Sequence, residues 1–297
     1  YMIVGGIIKK LHIVEVPTFK ALNVVIFKVF IPLALFFDVL EADLESVIQP
    51  KFFVYCCMSI IVLFIVLYVI VSRIIENPKD QSAIIQGIYR SNYVLLGVAI
   101  ASSLYGTEGA GLTAALASIA VPIINILAVI LFETKRGGEI HFKQLIINIF
   151  KNPIVDAGLL GIVFSILNIH IPELLYLPLD KLGSIATPLA LVSLGGILSF
   201  DSLVSHRLYL VVVTVMRLIV VPIIFLTIGI TVFGFKGAPV VTMLALFASP
   251  TAVASAPMAQ TMGSNGELAG EIVICTTALS MFTLFMFIFV LNFMGII

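Results

Sequence analysis

The chain has 297 residues, of which 61% are hydrophobic and only 11% charged, with a mean hydropathy of +1.22. A soluble domain carries roughly 25% charged residues, so a water-soluble fold is excluded. Sixteen Lys+Arg against sixteen Asp+Glu leave no net charge, and bulk electrostatics therefore attracts neither nucleic acid nor an acidic surface.

A bilayer-spanning helix takes roughly 20 apolar residues. The first block, Tyr1 to Val14, is interrupted by Lys9 and Lys10 before it can cross and is expected to be a truncated helix. Apolar blocks then run over 18–40, 52–71, 82–106, 110–132, 153–170, 182–200, 208–234, 237–262 and 272–297, with charged or Pro/Gly punctuation between them. The fold expected is an all-α polytopic membrane protein of ten transmembrane helices, the first one partial. Barrel strands are excluded because they would alternate polar and apolar over about ten residues. Cys56, Cys57 and Cys275 lie within apolar runs without disulfide or metal-ligand spacing, and read as packing residues.

Positively charged loops stay in the cytoplasm. One side carries Lys9, Lys10, Lys20, Arg73, Lys79, Lys135, Arg136, Lys143, Lys151 and Arg207; the other carries Lys51, Lys181 and Lys236. This places the 9–20, 73–80, 133–151 and 201–207 loops inside, and both chain ends outside. At an offset of 156 residues, Pro32-Leu33-Ala34-Leu35 falls on Pro188-Leu189-Ala190-Leu191 and Gly5 on Gly161; at 157, Gly106 falls on Gly263. Five helices separate the matched positions, and an odd number reverses direction across the membrane. Residues 1–132 and 153–297 are thus expected to be inverted repeats, joined by a cytoplasmic loop at 133–152, a transporter signature.

The fourth block contains Arg90-Ser91-Asn92 and Gly97, and its counterpart, the ninth, contains Ser249-Pro250-Thr251, then Pro257 and Gln260. Each proline removes a helical hydrogen bond and obstructs the preceding turn, so the ninth helix is expected to be broken; a simple kink between packed helices is the alternative. Unwound backbone at membrane depth survives only where protein or a polar cavity surrounds it, and matched broken helices point to a substrate site. The hydroxyl and amide groups of Ser91, Asn92, Ser249, Thr251, Ser255 and Gln260 would hydrogen-bond a carboxylate there, assisted by the positive ends of helices meeting at the break. The same groups are also common interhelical contacts worth about 0.6 kcal/mol each.

Three cations fall inside spans: Lys28, Arg90 and Arg217. A buried unpaired cation is expensive. Arg90 is favoured as the one that awaits an anion because it adjoins Ser91 and Asn92, although from Ser82 it lies only about 12 Å in, within partial snorkelling reach. The crossing blocks hold no carboxylate. Asp38, Glu108, Asp156 and Glu271 read as interfacial residues near span ends that could still couple a proton. Enzyme motifs are absent: no H-E-x-x-H, G-x-S-x-G or P-loop occurs, and His12, His141, His170 and His206 sit in loops. No cofactor and no metal site are expected.

Asn92 and Gly97, Asn152-Pro153 with Gly161, Thr187-Pro188-Leu189-Ala190-Leu191 followed by Gly195-Gly196, Arg217 with Pro222, and Ser249-Pro250 through Gly263 together resemble the auxin efflux carrier family of membrane transporters, bacterial branch. In the fourth block Ala99 stands where members often carry a proline, which leaves Asn92 and Gly97 to supply the break. The resemblance implies two inverted five-helix repeats, a scaffold domain including the first, second, sixth and seventh helices, and a transport domain with crossing helices four and nine. It also implies small organic anions such as malate, malonate or indole acetate as cargo, both ends outside the plasma membrane, and homodimers formed through the scaffold.

The function expected is secondary transport of a small organic anion by alternating access. The site would consist of Arg90, Ser91, Asn92, Gly97, Ser249, Pro250, Thr251, Pro257 and Gln260. The rivals are a sodium-coupled organic-anion symporter of bile-acid type, and a membrane receptor that binds the same ligand without moving it.

Overall fold

The computed structural model describes residues 1–40, 49–93, 97–136, 142–167, 169–198 and 200–297. In chain order the helices are α1 (Met2–Lys10), α2 (Val16–Leu40), α3 (Pro50–Ile74), α4 (Pro78–Tyr89), α5 (Val98–Lys135), α6 (Phe142–Phe150), α7 (Pro153–Ile166), α8 (Glu173–Ile197), α9 (Phe200–Ser205), α10 (Arg207–Thr231), α11 (Ala238–Ala248), α12 (Ser255–Thr261) and α13 (Gly266–Phe293). Six of them, α2, α3, α5, α8, α10 and α13, are long and apolar enough to cross a bilayer, so the chain is a multi-pass membrane protein.

Charged residues read as punctuation lie inside helices at several places. Lys79 and Asp80 belong to the first turn of α4, where the Asn77 side chain accepts from the Lys79 N–H at 3.0 Å, and Glu173 through Lys181 belong to α8. A first turn needs donors satisfied and tolerates acids, so polar residues there begin a helix rather than separate two. The connecting segment at 133–152 likewise carries a helix of its own, α6.

Two long helices contain a π turn, at Ile26–Phe30 of α2 and Met216–Val220 of α10. Helix α8 is two segments joined at Ile185. Inside α5, Tyr105 and Gly106 depart from helical geometry; Gly106 has φ 58° and Gly263, just after α12, has φ 80°. Both have the positive φ that glycine adopts without a Cβ penalty.

Helices α1, α2, α7 and α8 pack together. α1 lies on α8 and α7 lies on α2. A Cβ at Gly5 would collide with the Val192 carbonyl of α8, and one at Gly161 would stand 2.9 Å from the Phe36 carbonyl of α2. Small residues let the backbones approach in both places. The remaining long helices form a second group around α4 and α11, which are buried along nearly their whole lengths. Such helices end in the interior, and their last carbonyls must find partners there.

Candidate functional site

Helix α4 stops at Tyr89 and α11 at Ala248, with Arg90 and Ser249 already extended (ψ 105° and 150°). The two interruptions pair with each other. Ser91 and Thr251 form an antiparallel bridge, the Asn92 N–H donates to Pro250 O at 2.8 Å, and the Ala252 N–H donates to Arg90 O at 3.1 Å. Backbone freed by one break thus satisfies backbone freed by the other, as buried peptide groups require. Pro250 lies where no helical N–H is wanted. Pro257 is the third residue of α12, where the amide has no helical partner in any case.

The carbonyls left at the two helix ends are taken by Arg217. Its Nε donates to Ser249 O at 2.8 Å, Nη1 to Ile88 O at 3.0 Å and Nη2 to Leu246 O at 3.0 Å, and the side chain is 1% exposed. The guanidinium belongs to the π turn of α10, and it neutralises the negative ends of α4 and α11. Lys28, the third cation, is exposed.

Arg90 is also buried, at 5% exposure, but differently surrounded. Nη2 donates to Asn125 Oδ1 at 2.7 Å and Nη1 meets Met258 Sδ at 2.8 Å. With its amide oxygen turned inward, Gln86 also accepts from Nη1, at 3.1 Å. All three partners are neutral, and among the described residues no carboxylate bonds to this guanidinium. A cavity of about 510 Å³ opens beside it, lined by Arg90, Ser91, Asn92, Tyr93 and Asn125 together with Asp38, Thr187 and Pro188. The Ser91 hydroxyl is buried and has no hydrogen-bond partner among the described residues. Buried polar groups are normally satisfied, and an exception calls for a reason.

Of the residues singled out in the sequence, Arg90, Ser91 and Asn92 line this cavity, whereas the others support it or lie elsewhere. Ser249 Oγ is spent on Ala245 O at 2.5 Å, and Thr251 Oγ1 donates to Gly87 O at 2.6 Å. Pro250 and Pro257 are buried behind the break. Gly97 is packed so that a Cβ would stand 2.9 Å from the Tyr93 ring and 3.1 Å from Ala245 Cβ. The intervening residues 94–96 lie outside the described set. Gln260 lines a second, polar cavity of about 570 Å³ with Lys9, Lys20, Lys79 and Asp80. Its Oε1 accepts from Asn23 Nδ2 at 2.7 Å and its Nε2 donates to Lys20 O at 2.9 Å. The sequence reading missed two participants: Asn125, which holds Arg90, and Thr276, whose Oγ1 accepts the Thr251 N–H at 3.2 Å. An amide or hydroxyl inside an apolar run was the available signal, and it is a weak one.

A profile of the family described as membrane transport protein, Mem_trans, matches residues 1–288. The chain belongs to that family. It is the family that the sequence motifs resemble, the auxin efflux carriers. Its members are transporters rather than enzymes. A search of curated proteins returns no match.

Proposed function

We propose that this member of the membrane transport protein family is a secondary transporter that moves a small organic anion, such as a malonate- or malate-like dicarboxylate, across the plasma membrane by alternating access. The observation that carries the reading is Arg90: a buried cation beside a cavity, which among the described residues has neutral partners only, next to a Ser91 hydroxyl that has no partner among them. Taking a guanidinium out of water costs several kcal/mol unless an anion compensates. A carboxylate entering the cavity would accept from Arg90, Ser91 and Asn92 at once. Arg217 has its hydrogen bonds committed to carbonyls and serves the scaffold of the site.

The architecture proposed is ten spans in two inverted repeats, 1–132 and 153–297. The exchanged packing of Gly5 on Val192 and Gly161 on Phe36, and the positive φ shared by Gly106 and Gly263, support it. In this reading α4 with the start of α5, and α11 with α12, are the broken crossing helices. The group of α1, α2, α7 and α8 is the scaffold, against which the other helices move and through which two copies pair, with both ends of the chain outside.

The test is uptake of radiolabelled malonate and malate into proteoliposomes, with and without sodium. Uptake that is lost in Arg90→Gln at unchanged thermal stability supports the proposal; Arg90→Gln transporting like the wild type overturns it. Binding without flux would establish the receptor reading, and sodium-dependent uptake the symporter.

A further inference from the structure

Away from the crossing, the protein buries a titratable pair that anion recognition does not use. Glu271, in the second turn of α13, is 2% exposed rather than interfacial. Its Oε2 lies 2.7 Å from Nδ1 of His206, the residue that precedes α10, and its Oε1 has no partner among the described residues. The imidazole is partly exposed and the carboxylate is not. The histidine is thus the pair's opening and the carboxylate its interior end.

A buried carboxylate with one oxygen unsatisfied is costly. With one proton the pair is neutral overall; without it, a net negative charge is buried. The charged and titratable residues on the elements packed around Glu271 are Glu267 and Cys275 on α13, Lys79, Asp80 and Tyr89 on α4, Asp201 on α9, and Arg207, Tyr209 and Arg217 on α10; α11 and α12 carry none. Several are committed elsewhere: Asp80 accepts from Asn265 and Asn77, Tyr89 donates to Ile124 O, and Arg217 holds its three carbonyls.

Helix α13 links this pair to the crossing. Five residues beyond Glu271, about 7.5 Å along the axis, stands Thr276, the acceptor for the Thr251 N–H in the interrupted segment. Gly270, on the other side of Glu271, faces Leu194 of α8 and Ala256 of α12, where the two helix groups meet.

We propose that Glu271 and His206 form a proton-binding site whose occupancy biases the arrangement of the crossing, so that transport responds to pH. The link to transport rests on the function proposed above; proton binding does not.

Infrared difference spectroscopy of the substrate-free protein in nanodiscs, titrated through neutral pH, tests the site. Wild type should show a carboxyl and imidazole change that both Glu271→Gln and His206→Gln lose; a titration identical in either folded variant overturns it. Malonate uptake into proteoliposomes tests the link. Wild-type uptake should vary with pH, by up to about tenfold per unit for one proton, and Glu271→Gln should be flat. A profile that keeps its wild-type shape in Glu271→Gln, or in His206→Gln should the first variant not fold, overturns the coupling. Absence of malonate uptake by wild type counts against the anion reading, while the spectroscopic arm still decides the proton site.

Discussion

Arg217 Nε and the carbonyl oxygen of Ser249 are joined at 2.8 Å across 32 residues of chain, and the same guanidinium reaches the ends of both interrupted helices. A charge in this position acts as a shared cap for α4 and α11. Arg217→Met keeps the stem and removes every donor, leaving three buried carbonyls unpaired at about 1–3 kcal/mol each. Thermal unfolding in detergent should show a loss of roughly 3 kcal/mol or more, and Arg217→Lys should recover part of it. A methionine variant as stable as wild type would mean that the carbonyls find other donors.

Asn125 supplies a neutral acceptor to Arg90 and so leaves its charge available. Asn125→Asp would place a carboxylate at the same 2.7 Å contact and satisfy the guanidinium internally. Malonate affinity measured by calorimetry should fall at least about tenfold, equivalent to 1.4 kcal/mol, while thermal stability holds or rises. Asn125→Ala should weaken binding by less, since it loosens Arg90 without neutralising it. Unchanged affinity in the aspartate variant would show that the anion does not depend on the Arg90 charge.

The spans were legible in the sequence because burial in lipid demands long apolar runs, and α2, α3, α10 and α13 fall on predicted blocks to within a few residues at most of their ends. The end of α11 at Ala248, just before Pro250, has a covalent reason, proline lacking its N–H. The break at Arg90 carried no such mark. It exists because Asn92 and Ala252 exchange backbone hydrogen bonds with Pro250 and Arg90, a tertiary fact that no local pattern encodes. The roles of the two arginines were likewise hidden: one meets carbonyls and the other neutral side chains, and that difference arises only once α5, α10 and α11 have packed. His206 and Glu271 lie 65 residues apart, and only the fold brings them together.

Gly5 and Gly161 make a test of the repeat. Each lets one helix approach the backbone of its neighbour, at Val192 and Phe36. Gly5→Val and Gly161→Val should each force the helices apart, costing about 1–3 kcal/mol as overpacking does, and the two losses should be similar if the halves are equivalent. Thermal unfolding of both variants measures this. A large loss at one position and none at the other would count against the symmetry.

Gln260 ties the two helix groups together at the end that carries Lys9, Lys20 and Lys79. It accepts from Asn23 and donates to Lys20 O, both on α2, and it lines the polar cavity at that end. In the alternating access proposed above, these bonds break each time the path opens there. Gln260→Ala removes two bonds worth about 0.5–1.5 kcal/mol each, which would shift the balance toward the state open at that end by roughly fivefold or more. A cysteine placed at Ser264, on the wall of the same cavity, reports the shift through its rate of labelling by a membrane-impermeant maleimide. Labelling should accelerate in the Gln260→Ala background and in Asn23→Ala alike, because either change removes the Asn23–Gln260 contact. An equal rate with and without the bond would mean that the opening at this end is controlled elsewhere, and would leave Gln260 as a packing residue at the seam.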